Sequence, residues 1–345
     1  MITAHGDDIY EYEGVIKHNF SSNLCPSIQM DGLKEHLKAA MDVIDHYPPA
    51  ETIKTERVLS AILRNRPEET LITSGATEAI YLIAQTAGGG SRSAVLVPTF
   101  SEYGDACWLH GSDVTTIHSL DEIHDEMNMV WLCNPNNPTG RVIAKEQVVK
   151  AAFDHPHTLF VIDQSYAFFC KEELIDPREA AQLGNVILLH SMTKKYGIPG
   201  LRLGYVTGKE DYIRSLRMSQ MPWSVNALAW VACGYILEHH ADFHFDMDGY
   251  LQEAQRLRDN LNQIDSIEVM PTQTHFMLVR MADADSLVIK RRLVDRYGIL
   301  VRSCHNIVGL DNHYIRVAAQ TPEENDLLVK AMDLLLAPSS SVPFK

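Results

Sequence analysis

The chain has 345 residues, 46% hydrophobic and 22% charged, and its 45 acidic and 30 basic side chains give a formal net charge of -15. This is the composition of a globular protein with a large core. The negative charge argues against the broad basic surface that nucleic acid or anionic lipid requires.

The cysteines and the apolar segments of the chain indicate the cellular compartment in which the protein is expected. Six cysteines are scattered without a C-x-x-C pair, which favours reduced thiols in a cytoplasmic protein over a disulfide framework or a zinc ribbon. The first segment, MITAHGDDIYEYEG, has no apolar core, so no signal peptide is predicted. The longest apolar stretch, VNALAWVACGYIL, is too short to span a bilayer. We therefore expect a cytoplasmic protein with no membrane partner.

Short β-rich runs alternate with helical patterns through the first two thirds of the chain. The predicted strands are TLITSG, AVLVPTF, VTTIHSL, MVWLCNP, LFVIDQSY, VILLHSM and LRLGYVTG. Several are apolar throughout, as strands of a parallel sheet covered on both faces are. Segments such as ATEAIYLIAQTA place apolar residues on one helical face between them. The pattern predicts an α/β doubly wound domain over residues 45–240.

The order of elements changes after a long helical stretch, predicted over about residues 209–262. Two strands around a turn, a helix ending at Gly298, two more strands and a last helix follow. Thr321 is the predicted N-cap of that last helix, with Pro322 at its first position. These elements predict a smaller α+β domain made of residues 241–345 together with residues 1–44.

Chemically useful side chains stand where the predicted strands end, and in open α/β sheets ligands bind at that edge. The candidates are Gly75, Ala76, Thr77, Phe100, Asn137, Asp163, Tyr166, Ser191, Lys194 and Arg202. Each alone also fits a turn, a cap or a core position. The histidine-rich segment EHHADFHFDMD reads as an exposed helix end, and no metal site is predicted there. The joint occurrence of the candidates therefore points to one site.

The motifs SGATEA, NPNNPTG, VIDQSY and SMTKKYGIPGLRLGY, in this order, resemble the fold type I pyridoxal-phosphate enzymes, the aspartate aminotransferase superfamily. In that family a serine lies three residues before the cofactor-binding lysine and an arginine eight after it. Ser191, Lys194 and Arg202 fit this spacing and Lys195 does not. The resemblance implies a large domain with a mainly parallel seven-stranded sheet, a smaller α+β domain, and pyridoxal 5'-phosphate as cofactor.

The resemblance also implies a role for each candidate. Lys194 would form an imine with the cofactor aldehyde, and Asp163 would hold the pyridine nitrogen protonated. Tyr166 and Asn137 would hydrogen-bond the phenolic oxygen, and Phe100 would stack on the ring. The phosphate would be held by Gly75, Ala76, Thr77, Ser191 and Arg202, and by Tyr47 from a neighbouring subunit, which implies a homodimer.

Two subfamilies share further motifs with this chain, the histidinol-phosphate aminotransferases and the threonine-phosphate decarboxylases. The segments AHGDD, NFSSN and RSCHNIVGLDNHYIRVAAQTPEEN are similar to the decarboxylases and nominate His5, Asn23, Arg302 and Arg316 as substrate-binding residues. The sequence favours decarboxylation of O-phospho-L-threonine, with a histidinol-phosphate type aminotransferase as the alternative and a non-catalytic cofactor-binding module as a remote one. Gln320 stands where many relatives carry arginine, so the exact substrate stays open.

Overall fold

The computed structural model describes residues 6–24, 28 and 30–337, so the predicted substrate residue His5 lies outside the described residues. The described chain forms two compact units. The first contains residues 28, 30–137 and 141–245, and the second contains residues 6–24, 138–140 and 246–337. The domain ranges expected from the sequence stay a prediction.

The strands are β1 (His18–Asn19), β2 (Thr70–Thr73), β3 (Arg92–Leu96), β4 (Asp113–Ile117), β5 (Met129–Cys133), β6 (Leu159–Asp163), β7 (Val186–Ser191), β8 (Gly204–Gly208), β9 (Ile267–Val269), β10 (Phe276–Met281), β11 (Ile299–Leu300), β12 (Arg302–Ser303) and β13 (Tyr314–Ala318). The α-helices are α1 (Leu33–Ala39), α2 (Ile53–Leu63), α3 (Gly75–Ala87), α4 (Glu102–Leu109), α5 (Lys145–Asp154), α6 (Pro177–Leu183), α7 (Met192–Lys195), α8 (Glu210–Ser219), α9 (Ala227–Glu238), α10 (Met247–Leu261), α11 (Ser286–Tyr297) and α12 (Pro322–Leu336). None of the described helices is long and apolar enough to cross a membrane.

The first unit is built on a seven-stranded sheet with the order β2-β8-β7-β6-β5-β3-β4. Only β8 runs against its neighbours, so the predicted mainly parallel seven-stranded sheet is confirmed. All five residues of β5 are buried, which explains why its sequence is apolar without alternation. The register sets Cys133 opposite Asp163, so the carboxyl ends of β5 and β6 meet at one edge.

The helices of the first unit cover the sheet with apolar faces. In α3 the buried residues include Ala79, Ile80 and Ile83, as the period of the segment predicts. The helical stretch predicted over about residues 209–262 is present, and the structure divides it into the three helices α8, α9 and α10. The side chains of Asn226 and Asp246 accept hydrogen bonds from backbone amides at the starts of α9 and α10, so each is a separate capped helix.

The second unit contains a four-stranded antiparallel sheet, β12-β13-β10-β9, and the parallel pair β1 and β11. Gly298 caps the end of helix α11, and its φ of +67° is the left-handed conformation that favours glycine. The predicted cap of α12 is confirmed. The Thr321 hydroxyl oxygen accepts a hydrogen bond from the Glu324 backbone amide, and the Glu324 carboxylate accepts one from the Thr321 backbone amide.

Candidate functional site

A buried carboxylate lies at the end of β6. Asp163 is 5% exposed, and its two oxygens accept hydrogen bonds from the Ser165 amide at 2.8 Å and the Tyr103 hydroxyl at 2.7 Å. Burial raises the pKa of Asp163, while these hydrogen bonds and the nearby Lys194 ammonium partly offset the rise. With both oxygens bound, the carboxylate has one fixed orientation. It can therefore present an acceptor to a protonated ring nitrogen.

Tyr103 is a site residue that the sequence reasoning missed. It lies in α4, is 1% exposed and stacks on Trp131 with ring centroids 5.4 Å apart and an interplanar angle of 14°. Burial and the Asp163 carboxylate raise the pKa of Tyr103 well above its usual range, so it is a neutral hydrogen-bond donor. Its position three residues after Phe100, close to one helical turn, was the signal that could have found it.

The candidate lysine follows β7 directly. Strand β7 ends at Ser191, and Lys194 lies in the short helix α7 with its Nζ 5.9 Å from the centre of the Tyr166 ring. Tyr166 is 6% exposed and follows β6 by three residues. Because the Lys194 charge acts on the pKa of Asp163, the amine and the carboxylate share one electrostatic environment. The structure thus brings Lys194, Asp163 and Tyr166 to the same edge of the sheet.

The start of α3 forms a cradle for an anion. Gly75 is the first residue of this 13-residue helix, with φ of +77°, and a Cβ added there would lie 2.8 Å from Nη2 of Arg202. The first backbone amides of a helix have no partner within the helix and attract anions. The guanidinium of Arg202 and the first turn of α3, with Ala76 and Thr77, therefore face the same small volume. A side chain larger than glycine would fill it.

The remaining first-unit candidates take separate positions. The ring of Phe100 contacts Tyr103 edge-on at 5.7 Å, and Asn137 is 9% exposed at the end of the turn after β5. The Ser191 hydroxyl lies 2.6 Å from that of Thr193. Tyr47 is 84% exposed and lies outside this cluster, its ring 5.1 Å from that of the half-exposed Trp223. In this chain Tyr47 therefore faces solvent.

These residues fit pyridoxal phosphate. The group needs an amine for its aldehyde, a carboxylate for its ring nitrogen and a cradle for its phosphate. Lys194 offers the amine, and the buried Asp163 offers the carboxylate with its orientation already fixed. The glycine-opened start of α3 beside Arg202 offers the phosphate cradle.

Two arginines lie side by side in the second unit. Arg302 of β12 is directly opposite Arg316 of β13, and they are 7% and 6% exposed. Nη2 of Arg302 donates to Oδ1 of Asn306 at 2.8 Å, and Nη2 of Arg316 donates to the Ser21 carbonyl. Burial lowers the pKa of Arg302, and the charge on Arg316 lowers it further. Two buried like charges favour an anionic ligand beside them.

The other two positions noted in the sequence also lie in the second unit. Asn23 is fully buried with φ of +52°, and its backbone carbonyl lies 3.2 Å from Nε2 of His275. The side-chain amide nitrogen of Gln320 donates to the backbone carbonyls of Ala318 and Ala319, each at 3.1 Å. Gln320 is therefore held by the main chain of its own unit.

Comparisons with known proteins agree with this chemistry. The family model of aminotransferase class I and II matches residues 15–332. Threonine-phosphate decarboxylase of Salmonella typhimurium is 30% identical over 96% of each chain, and a histidinol-phosphate aminotransferase of a Thermoanaerobacter species is 27% identical over 90% of each. The crystal structure of L-threonine-O-3-phosphate decarboxylase from Porphyromonas gingivalis is 34% identical, with a TM-score of 0.89 over 93% of this chain and 100% of that one.

Proposed function

The chain belongs to the aminotransferase class I and II family of pyridoxal-phosphate enzymes, and we propose that it decarboxylates O-phospho-L-threonine to aminopropanol phosphate in cobalamin biosynthesis. The observation that carries the proposal is the opposed pair of buried arginines, Arg302 and Arg316. The substrate has two anionic groups, a carboxylate and a phosphate, and guanidinium forks suit both. The names of the relatives from Salmonella typhimurium and Porphyromonas gingivalis support the same reaction.

When bound, pyridoxal phosphate supplies an electron sink for the substrate α-carbon. We assign the cofactor contacts to residues of the first unit. Asp163 would accept a hydrogen bond from the protonated ring nitrogen, Tyr166 and Asn137 would hydrogen-bond the phenolic oxygen, and Phe100 would cover the ring. The first turn of α3, Ser191 and Arg202 hold the phosphate.

The substrate contacts belong to the second unit. We assign Arg302 and Arg316 to the two anionic groups and Asn23 to the phosphate, and the family resemblance adds His5, outside the described residues, as a further phosphate ligand. In the reaction the bond from the α-carbon to the carboxylate carbon breaks, carbon dioxide leaves and the α-carbon gains a proton. Nζ of Lys194 holds and delivers that proton.

Transamination of histidinol phosphate is the second candidate, and the 27% identical Thermoanaerobacter relative favours it. Histidinol phosphate carries a phosphate but no carboxylate, so it uses the charge of the arginine pair less fully than O-phospho-L-threonine does. Decarboxylation is therefore the better match to two buried guanidiniums.

Product analysis separates the two reactions. The purified holoenzyme is incubated with O-phospho-L-threonine and, separately, with histidinol phosphate and 2-oxoglutarate. We expect carbon dioxide and aminopropanol phosphate from the first mixture and no glutamate from the second. Glutamate alone would reverse the assignment. Lys194→Ala is the control, since it should abolish turnover and prevent borohydride from fixing the cofactor to the chain, whereas Lys195→Ala should retain both.

We further propose that the enzyme is a cytoplasmic homodimer in which Tyr47 binds the partner subunit's cofactor phosphate. The exposed Tyr47 and Trp223 rings are accompanied by Ile44 and Met221, which are 59% and 73% exposed. Exposed apolar residues of this kind are typical of a protein interface. All five described cysteines are free thiols, in keeping with a reducing compartment.

A further inference from the structure

The lysine that the cofactor does not use has an unusual environment. Nζ of Lys195 lies 5.1 to 5.9 Å from the ring centres of Tyr196, Phe168 and Phe243. Burial lowers the pKa of Lys195. Aromatic faces attract an ammonium but offer it no lone pair. Among the described residues, no carboxylate or carbonyl is hydrogen-bonded to Lys195, so its three N–H donors have capacity for a ligand.

Lys195 lines a cavity of about 270 Å³ within the first unit, which we call the Lys195 cavity. Leu59, Leu63 and Leu237 supply apolar wall, and the described lining residues contain no aspartate or glutamate. His190, also in the wall, is neutral because burial lowers its pKa to about 3. The wall therefore combines apolar residues with uncharged polar side chains such as Gln164 and Ser165, and Lys195 is its lysine.

The Lys195 cavity adjoins the cofactor cluster and shares Ser191 with it. Its lining contains Gln164 and Lys195 but neither Asp163 nor Lys194, although these residues are adjacent in the chain. Ser191 lines the cavity and stands at the end of β7, so it is the point where the cavity adjoins the proposed phosphate contacts.

We propose that the Lys195 cavity binds a small apolar monocarboxylate, with its carboxylate on Nζ of Lys195 and its hydrocarbon part against Leu59, Leu63 and Leu237. One ammonium matches one carboxylate, whereas a dianionic phosphate takes a fork of guanidinium donors or a row of backbone amides. The volume is close to the lower limit of small-molecule pockets, so the ligand has one or two rings or a short chain. This site is separate from the proposed decarboxylation.

The test compares two shape-matched probes, 2-naphthoate and its neutral analogue 2-naphthamide, by titration calorimetry on the holoenzyme. We expect the carboxylate to bind saturably and more tightly than the amide. Lys195→Met should weaken naphthoate about tenfold or more, the usual effect of losing a hydrogen bond between charged groups, and leave naphthamide unchanged. Lys195→Arg should retain the preference for the carboxylate. Lys209→Met, at an exposed lysine, is the matched control and should change neither affinity.

Four results would overturn the proposal. They are no saturable binding of naphthoate to the wild type, equal affinity for the two probes, unchanged naphthoate affinity in Lys195→Met, and competition with O-phospho-L-threonine, which would place the probe at the substrate contacts. Circular dichroism and cofactor loading verify that Lys195→Met folds. If it does not fold, the preference for the carboxylate in the wild type and in Lys195→Arg still decides the outcome.

Discussion

At the scale of single residues, the hydroxyl of Tyr103 acts on the chemistry through another side chain. It donates to Asp163 at 2.7 Å from a ring fixed by stacking on Trp131. Tyr103 is therefore a positioning residue, because it orients the carboxylate and favours its charged form. A hydrogen bond to a charged group is worth about 1.5–3 kcal/mol, enough to change a rate measurably.

Tyr103→Phe should lower kcat about tenfold and leave KM nearly unchanged, because the substrate contacts stay intact. Without the donor the pKa of Asp163 rises, so the acid limb of the pH profile of kcat should move to higher pH. Steady-state kinetics across pH measures both effects. Tyr81→Phe is the matched control, since Tyr81 donates to Glu102 at 2.8 Å and is not among the cofactor-site residues. An equal loss in Tyr81→Phe, or an unmoved acid limb in Tyr103→Phe, would contradict the positioning role.

The ionised Asp163 also destabilises the folded chain, because burial raises its pKa there. A carboxyl whose pKa is raised in the folded chain destabilises the fold when it is ionised. This penalty is absent below the unfolded pKa of about 3.9, grows as the pH rises from there, and is complete above the folded pKa. Asn can replace both hydrogen bonds, with its oxygen accepting from Ser165 and its amide donating to the Tyr103 oxygen. Apo Asp163→Asn should therefore be more stable than the apo wild type near neutral pH, with a difference that vanishes below about pH 4.

Urea unfolding of the apo proteins across pH measures that difference. Asp176→Asn is the control of opposite sign. Burial alone would raise the pKa of Asp176, but the amides and the side chain it bonds at the start of α6 lower it. Loss of that charge should weakly destabilise the protein at neutral pH, with the effect fading as the pH falls. A pH-independent gain in Asp163→Asn would mean that packing, and not ionisation, is the cause.

At the scale of elements, the sequence is informative where one short segment decides the structure. The all-apolar runs of β5 and β6 predict buried parallel strands, and the residues after them predict the chemical edge of the sheet. The break between α8 and α9 is missed because α9 is apolar on every side and shows no helical face. The Asn226 cap stands directly before the apolar run of α9.

Contacts between distant segments could not be predicted in this way. The pairing of Arg302 with Arg316 depends on the register of β12 and β13, which no local pattern specifies. The rings around Lys195 come from residues 168, 196 and 243. The sequence alone identifies the residue types at these sites. Which of these residues lie next to one another depends on the fold.

At the scale of the whole molecule, the proposed dimer makes each active site depend on two chains. Tyr47 is 84% exposed in one chain, so it could act as a cofactor ligand only if a second chain covered it. If Tyr47 binds the partner subunit's cofactor phosphate, then a Tyr47→Ala chain still provides a competent Lys194. A Lys194→Ala chain likewise still provides a competent Tyr47.

Mixing the two variants tests this dependence. Tyr47→Ala alone should bind the cofactor weakly, and Lys194→Ala alone should be inactive. After the two are unfolded and refolded together, a mixed dimer contains one complete site, with Lys194 from one chain and Tyr47 from the other. We expect the mixture to recover decarboxylation, and sedimentation equilibrium to report a dimer. Refolding either variant alone is the control. If the mixture gains nothing although mixed dimers form, Tyr47 serves its own chain or none, and the shared site is wrong.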